Sequence, residues 1–285
     1  MEERWKDYYS WSRSKQSMFD ECPRKYFYRY VAYYNVPFGN DLKSLKNLIE
    51  SMYNYNFMLG TIVHAAIERQ FDQISRGREV HGSDPALSYI IRTIDEIKNH
   101  KKRYIIEALN GQSISDQDII DLGKEAQKQV KIFFSEFFDF YKNLEIIEHE
   151  KYSNIELEGH RFYVVPDLVT RSLDGRIYIT EWKSNSNYKD AIDPYQMKLY
   201  ILWALKERLA ELDKLRAEII FLDIGKSEEY KVSNEDIEKF KEEIVDKSKK
   251  LYECIDCKSS KEEFNKCEKK ENCISCGYNQ YCKLN

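Results

Sequence analysis

Residues 164–183 read VVPDLVTRSLDGRIYITEWK, and their reading decides the fold. Val164 to Thr170 and Ile177 to Trp182 are rich in β-branched and aromatic residues, which suits two strands. Between them, Ser172-Leu173-Asp174-Gly175 carries turn chemistry, with Gly175 free to take a positive φ. Side chains alternate across a strand, so Asp167 shares a face with Val165 and Val169, and Glu181 shares one with Lys183. Loop length determines whether those faces coincide. A two-residue Asp-Gly turn would set Asp167 opposite Trp182, whereas a three-residue Leu-Asp-Gly loop sets it opposite Glu181. The three-residue loop is expected, because it gathers two carboxylates and an ammonium on one surface.

Such a cluster has a chemical use. Two carboxylates at one point repel unless a cation sits between them. Mg²⁺ takes oxygens from one or two carboxylates and keeps several waters. A bound metal lowers the pKa of a water and clamps phosphate oxygens. Lys183 is then placed to orient the attacking water or to neutralise charge developing on a phosphoryl group. The plain alternative is a cross-strand salt bridge from Lys183 to Asp167 or Glu181 on a solvated face.

The combination of Pro166-Asp167 with Glu181-Trp182-Lys183 resembles the PD-(D/E)xK nuclease signature, and further stretches resemble its RecB-like branch. Leu59 to Glu68 reads as a helix, and Gly60-x-x-x-His64 is similar to the G-x-x-x-H motif in which the histidine completes the metal site. Gly60 is expected to allow close packing. His64 and Glu68, spaced i and i+4, can face one site. Asp193 is a good N-cap and Pro194 suits the first helical turn. Gln196 three residues later reads either as the partner in a capping box or, with Tyr200 one turn on, as the Q-x-x-x-Y motif of the same branch.

The chain has 285 residues, 42% of them apolar and 33% charged, with a net charge of −4. It can bury a substantial core, and any nucleic-acid contact must come from local basic patches rather than from overall charge. Abundant tyrosine with scarce glycine and proline favours long helices and a compact sheet. No apolar run matches a membrane span, and the polar N-terminus does not read as a signal peptide, so a cytoplasmic location is expected. Disulfides are rare there, and the seven cysteines read as metal ligands or buried thiols.

Ser12 or Ser14 caps an amphipathic segment from Lys15 to Val31, which Pro23 should kink or restart. Arg24 and Lys25, interleaved with Tyr26, Phe27, Tyr28 and Tyr30, are candidates for a nucleic-acid backbone. Residues 35 to 56 read as a connecting or insertion segment. Residues 84–109 and 116–144 carry helical spacing, and the Phe133, Phe134, Phe137, Phe138 stripe reads as core. Ile146 to Leu157 supplies strands and Glu158-Gly159-His160 a turn. Lys214 to Asp223 reads as a strand, and Asn234 to Tyr252 as a helix.

The N-terminal segment around Cys22 and the spacing Cys273-x2-Cys276-x5-Cys282 resemble the cluster site of RecB-like nucleases of the AddB and CRISPR-adaptation type. The resemblance implies that Cys22, Cys273, Cys276 and Cys282 hold a 4Fe–4S cluster. The rival is zinc on Cys254-x2-Cys257 with Cys273-x2-Cys276. Cys254, Cys257 and Cys267 have no role on the cluster reading.

Together these motifs imply an α/β fold: a restriction-endonuclease-like core with a mixed central sheet in one domain over residues 1–285. A helical insertion at 69–145 and a cysteine-rich iron–sulfur clasp at 254–285 complete it. They imply that Asp167, Glu181 and His64 bind one or two Mg²⁺ or Mn²⁺ ions, with the Trp182 carbonyl as a further ligand. Lys183 positions the attacking water, and Gln196 and Tyr200 orient the strand. The implied activity is a metal-dependent deoxyribonuclease, an exonuclease on DNA that is single-stranded or has free ends. Such nucleases serve repair, CRISPR adaptation, phage replication or anti-phage defence, in some cases with a helicase or other repair or defence partner. The competing readings are a non-catalytic module that grips DNA or a protein, and a zinc-stabilised assembly subunit.

Overall fold

The structure, a computed structural model, describes residues 10–32, 40–184, 192–258, 260–269 and 271–284. The N-terminal nonapeptide and part of the expected connection at 35–56 lie outside these residues.

The hairpin is built from β5 (Leu168–Arg171) and β6 (Ile177–Lys183). Their antiparallel register pairs Leu168 with Thr180 and Arg171 with Ile177. Extending it by one residue sets Asp167 opposite Glu181. Ser172 N–H donates to the Arg176 carbonyl at 3.0 Å, leaving Leu173-Asp174-Gly175 as a three-residue loop. Gly175 takes φ +80, the left-handed conformation that this loop needs at its last position. Asp167 itself precedes β5, because Pro166 interrupts the strand expected from Val164 onward.

Around the hairpin, β2 (Glu145–Glu148), β7 (Leu215–Phe221) and β8 (Lys226–Tyr230) complete a five-stranded sheet of order β2-β5-β6-β7-β8. Only β6 and β7 run parallel, so the sheet is mixed, as expected for a restriction-endonuclease-like core. The crossover between them contains a helix at Pro194–Lys206. Strand β8, sequence KSEEY, has no apolar alternation and is a charged, exposed edge, which suits a strand without a further partner. A second, three-stranded sheet orders β1 (Ser10–Trp11), β4 (His160–Val164) and β3 (Ser153–Leu157). The expected turn before it is the pair Glu158-Gly159, both at positive φ. His160 is a strand residue opposite Leu157, with Nδ1 3.0 Å from the Ser248 hydroxyl, and not a turn residue.

In chain order the longer helices are α1 (Arg13–Glu21), α2 (Asn40–Glu50), α3 (Tyr55–Ser75), α4 (Asp84–Asn99), α5 (Asp116–Glu136), α6 (Pro194–Lys206) and α7 (Asn234–Asp256). They cover both faces of the large sheet. Leu168, Trp182 and Ile220 point to one face, where they join the apolar stripes of α3, α4 and α5. The Trp182 ring stacks on Phe71 and meets Phe133 edge-on at 5.2 Å, so the phenylalanine stripe is core. Val169, Ile179 and Ile219 point to the opposite face, under α6, α7 and the N-terminal segment. Helix α3 runs without a break through residue 69, where the helical insertion was expected to begin.

Pro23 does restart the N-terminal helix: α1 ends at Glu21, and a turn at Pro23–Tyr26 passes into a π-helical segment at Phe27–Val31. Tyr26, Phe27 and Tyr28 are buried in the core and hold the C-terminal tail, with Phe27 5.0 Å from Phe264 and Tyr28 5.2 Å from Tyr281. Gly277 permits the tail to approach α2: a Cβ there would lie 2.6 Å from Ile49 Cγ2. Among the described residues no helix is long and apolar enough to cross a membrane.

Candidate active site

The β alternation carries Glu181 and Lys183 to the α6 face of the sheet while Trp182 plugs the other. Asp167 and Glu181 are 7% and 4% exposed, a burial that carboxylates tolerate only with partners. Asp167 Oδ2 accepts the Trp182 N–H at 2.6 Å. Its Oδ1 lies 3.3 Å from His64 Nδ1.

His64 is delivered by α3, at the border of the stripe that buries Ile62, Val63, Ala66 and Ile67. Gly60 is not required by close packing, since a Cβ there would meet Ser184 Cβ at an ordinary 3.9 Å. The second ring nitrogen, Nε2, lies 3.1 Å from the Trp182 carbonyl. A carbonyl only accepts, so Nε2 carries the hydrogen. Nδ1 is thereby turned toward Asp167 and toward Glu150 Oε1, 3.7 Å away. A bare imidazole lone pair facing two carboxylates is repulsive; a proton or a cation relieves it. Burial opposes a charge on His64, yet Asp167 and Glu150 outweigh it and hold its pKa well above 6.5. Burial, then the charge of Glu181, pushes the Asp167 carboxyl up to about 7, against the pull of His64.

Glu150 was not anticipated in the sequence. It follows β2, whose pairing with β5 shifts register between Ile146 and Glu148. Glu150 N–H donates to the Pro166 carbonyl at 3.1 Å, and the residue takes φ +44. A non-glycine residue in the left-handed region stores strain, which tends to persist where function needs it. Here the bulge and turn aim the carboxylate at His64 and Asp167. The available signal was the polar pair His149-Glu150 interrupting a strand pattern. Glu68, one turn along α3 from His64, has its carboxyl pKa raised by burial and by the charge of Glu150.

Among the described residues, His64, Glu150 and Asp167 form a group that can hold a metal ion, their ligand atoms all within 4.8 Å of one another. The expected set had Glu181 in place of Glu150. In the structure Glu181 is otherwise engaged. Its Oε1 accepts from Lys183 Nζ at 2.8 Å and from Gln196 Nε2 at 2.9 Å, and its Oε2 lies 3.3 Å from the Tyr200 hydroxyl. The Trp182 carbonyl, expected as a further ligand, is occupied by His64 Nε2–H.

Gln196 resolves its two readings. Asp193 caps α6 through Tyr195 N–H, while the Gln196 side chain turns into the site and not back to the cap. Its Oε1 accepts from Lys183 at 3.1 Å, and its Nε2 donates to Glu181 and to the Tyr200 hydroxyl. Tyr200 is buried, lies 2.7 Å from the Val165 carbonyl and steadies Glu181. Arg24 and Lys25 lie away from the carboxylates, around the cysteine pocket. Arg24 is buried and donates to the Phe264 carbonyl at 2.9 Å, and Lys25 pairs with Glu21 at 3.2 Å. The kink at Pro23 turns this stretch toward the tail, which removes Arg24 from any phosphate.

That pocket, of about 120 Å³, is lined by Cys22, Cys267, Cys273, Cys276 and Cys282. None of the seven cysteines is in a disulfide. Cys267, which the sequence left without a role, has its Sγ 3.5 Å from that of Cys273. Cys254 and Cys257 lie outside the pocket lining, at the end of α7. Burial first, then the neighbouring thiols, pushes Cys267 up to about 12; burial pushes Cys276 up to about 11. Without a cation these thiols keep their protons.

No curated protein matches the chain. The description of the PD-(D/E)XK nuclease superfamily does match it, from residue 10 to residue 283. That span takes in the Asp167/Glu181/Lys183 hairpin, the His64 helix and the mixed sheet that joins them, and the chain belongs to this superfamily.

Proposed function

We propose that the chain is a divalent-cation-dependent deoxyribonuclease that cuts phosphodiester bonds at Asp167, Glu150, His64, Glu181 and Lys183, acting on single-stranded DNA or DNA with free ends. The observation that carries this reading is the direction of His64 Nδ1. A donor set of one imidazole and two carboxylates, beside a lysine, suits Mg²⁺ or Mn²⁺. When bound, the ion supplies Lewis acidity and a water of lowered pKa.

The remaining work falls to the chain's own side chains. His64 presents Nδ1 because the Trp182 carbonyl holds Nε2–H. Asp167 is held by the Trp182 N–H, so Oδ1 remains directed at the ion site. Glu181 and Gln196 fix the Lys183 ammonium from two sides, ready to offset charge on a phosphoryl oxygen in the transition state. Tyr200 and Gln196 keep Glu181 from turning away.

We infer a second centre at the cysteine pocket, a 4Fe–4S cluster that clasps the tail to the N-terminal segment. Four thiolates are what such a cluster needs, and Cys22, Cys273, Cys276 and Cys282 line one pocket. The zinc alternative needs Cys254 and Cys257, which are not part of that lining.

The test uses anaerobically purified protein with labelled linear single-stranded, linear duplex and covalently closed circular DNA, with Mn²⁺ and with EDTA. Mn²⁺-dependent loss of linear DNA with circles spared supports the exonuclease. Intact DNA in every reaction would overturn the nuclease reading and favour a DNA- or protein-binding module.

A further inference from the structure

Beside the candidate active site lies a cleft of about 740 Å³. Gln196 and Tyr200 line it, and Gln196 also contacts Glu181 and Lys183, so the cleft adjoins the reacting groups. We propose that this cleft carries a single strand of nucleic acid to the active site, holding it by base stacking and phosphate contacts. The inference rests on the nuclease reading and names the path of its substrate.

Charge is the first argument. The chain as a whole is acidic, at −4, yet Arg13, Lys15, Arg29 and Lys46 line this cleft against the one carboxylate Glu50. Arg13 is held by Asp193 at 2.6 Å, and Arg29 and Lys46 share Glu50 at 3.7 and 3.9 Å. A positive groove within an acidic protein attracts a polyanion locally without holding it everywhere.

Aromatic rings are the second argument. Tyr152 is 78% exposed and stands edge-on to Tyr163, with ring centroids 6.4 Å apart. Lys15 Nζ lies 5.0 Å from the Tyr30 ring and 5.7 Å from the Tyr163 ring, beneath the same wall. In an intact duplex the base faces are already stacked, which leaves an exposed ring little to stack on. Unpaired bases present those faces, and every base has one, so the grip is tolerant of sequence. The hydroxyls of Ser12, Ser14 and Ser17 at the start of α1 line the same cleft and suit phosphate oxygens.

Fluorescence anisotropy in EDTA tests the proposal, using labelled oligo(dT), oligo(rU) and a blunt duplex with wild type, Tyr152→Ala, Tyr152→Phe and Arg13→Ala. Cleavage of the same strands in Mn²⁺ is measured in parallel. We expect Tyr152→Ala to lose about tenfold in single-strand affinity, Tyr152→Phe to retain it, and duplex binding to be unchanged. Arg13→Ala should weaken binding and flatten its salt dependence. The oligo(dT) and oligo(rU) arms decide between DNA and RNA as the strand. Wild-type cleavage with single-strand affinity unaltered in Tyr152→Ala and Arg13→Ala would overturn the cleft while leaving the nuclease. Equal losses on duplex and single strand would overturn the single-strand assignment. Tyrosine-dependent strand binding without any cleavage would support the cleft and overturn the nuclease.

Discussion

Replacing Glu150 by Gln separates the two candidate metal sites, because the sequence and the geometry disagree about the second carboxylate. Glu150 Oε1 lies 3.7 Å from His64 Nδ1, the nitrogen placed to face an ion. One unit charge at that distance is worth roughly 4 kcal/mol at an effective dielectric of about 20. The side chain is 24% exposed, so solvent screens part of this. Relief of repulsion with Asp167 cancels more. About 2 kcal/mol remains, or roughly thirtyfold in Mn²⁺ affinity. Isothermal calorimetry at pH 8 without DNA measures it for wild type, Glu150→Gln, Glu181→Gln and Asp167→Ala. We expect Asp167→Ala and Glu150→Gln to bind Mn²⁺ weakly, and Glu181→Gln to stay close to wild type while losing activity through a displaced Lys183. Should Glu181→Gln abolish binding while Glu150→Gln leaves it intact, the assignment of Glu150 is refuted and the ligand set is the one read from the sequence.

Lys183→Ala should keep Mn²⁺ and DNA affinity while cleavage falls by about a hundredfold or more, read in single-turnover assays; a full-rate variant would remove Lys183 from the chemistry. The pH dependence follows from Asp167, whose pKa is raised to about 7 by burial and by Glu181. His64, held well above 6.5 by Asp167 and Glu150 against the effect of burial, also carries a proton on Nδ1 that the ion must displace, and below pH 7 Asp167 adds another. Mn²⁺ affinity should therefore drop as pH falls, more steeply below 7, with proton uptake by buffer visible in calorimetry. At the cysteine pocket, Cys22→Ser should lose iron and sulfide and expose both chain ends to protease. Cys254→Ser should lose neither, and stoichiometric zinc in anaerobic wild type would defeat the cluster. Trp182→Ala opens a cavity between Phe71 and Phe133 and should cost about 3–5 kcal/mol in urea unfolding; a loss under roughly 1 kcal/mol would contradict the packing described.

The hairpin at 164–183 was legible from sequence because its determinants are local. Strand parity is fixed by the period of two; Gly175 marked the turn but left two loop lengths open, and the use of two carboxylates beside an ammonium selected the loop that pairs Asp167 with Glu181. The same holds for the Asp193 cap, the Pro23 restart and the amphipathic helices, each set by residues within a few positions. Glu150 was not legible, since its direction depends on a bulge in β2, a left-handed residue and a carbonyl on another segment, Pro166. Cys267 was invisible for the same reason: its neighbour Cys273 comes from the folding of the tail, and spacing alone gave it no partner. Arg24 shows the converse. Its charge looked like a surface feature, but the Pro23 restart buries it against the tail carbonyl of Phe264. Local patterns fix which elements form and which faces are apolar. Which polar groups end up facing each other across elements is decided by packing, and in this protein packing chose Glu150 for His64 and Gln196 for Glu181.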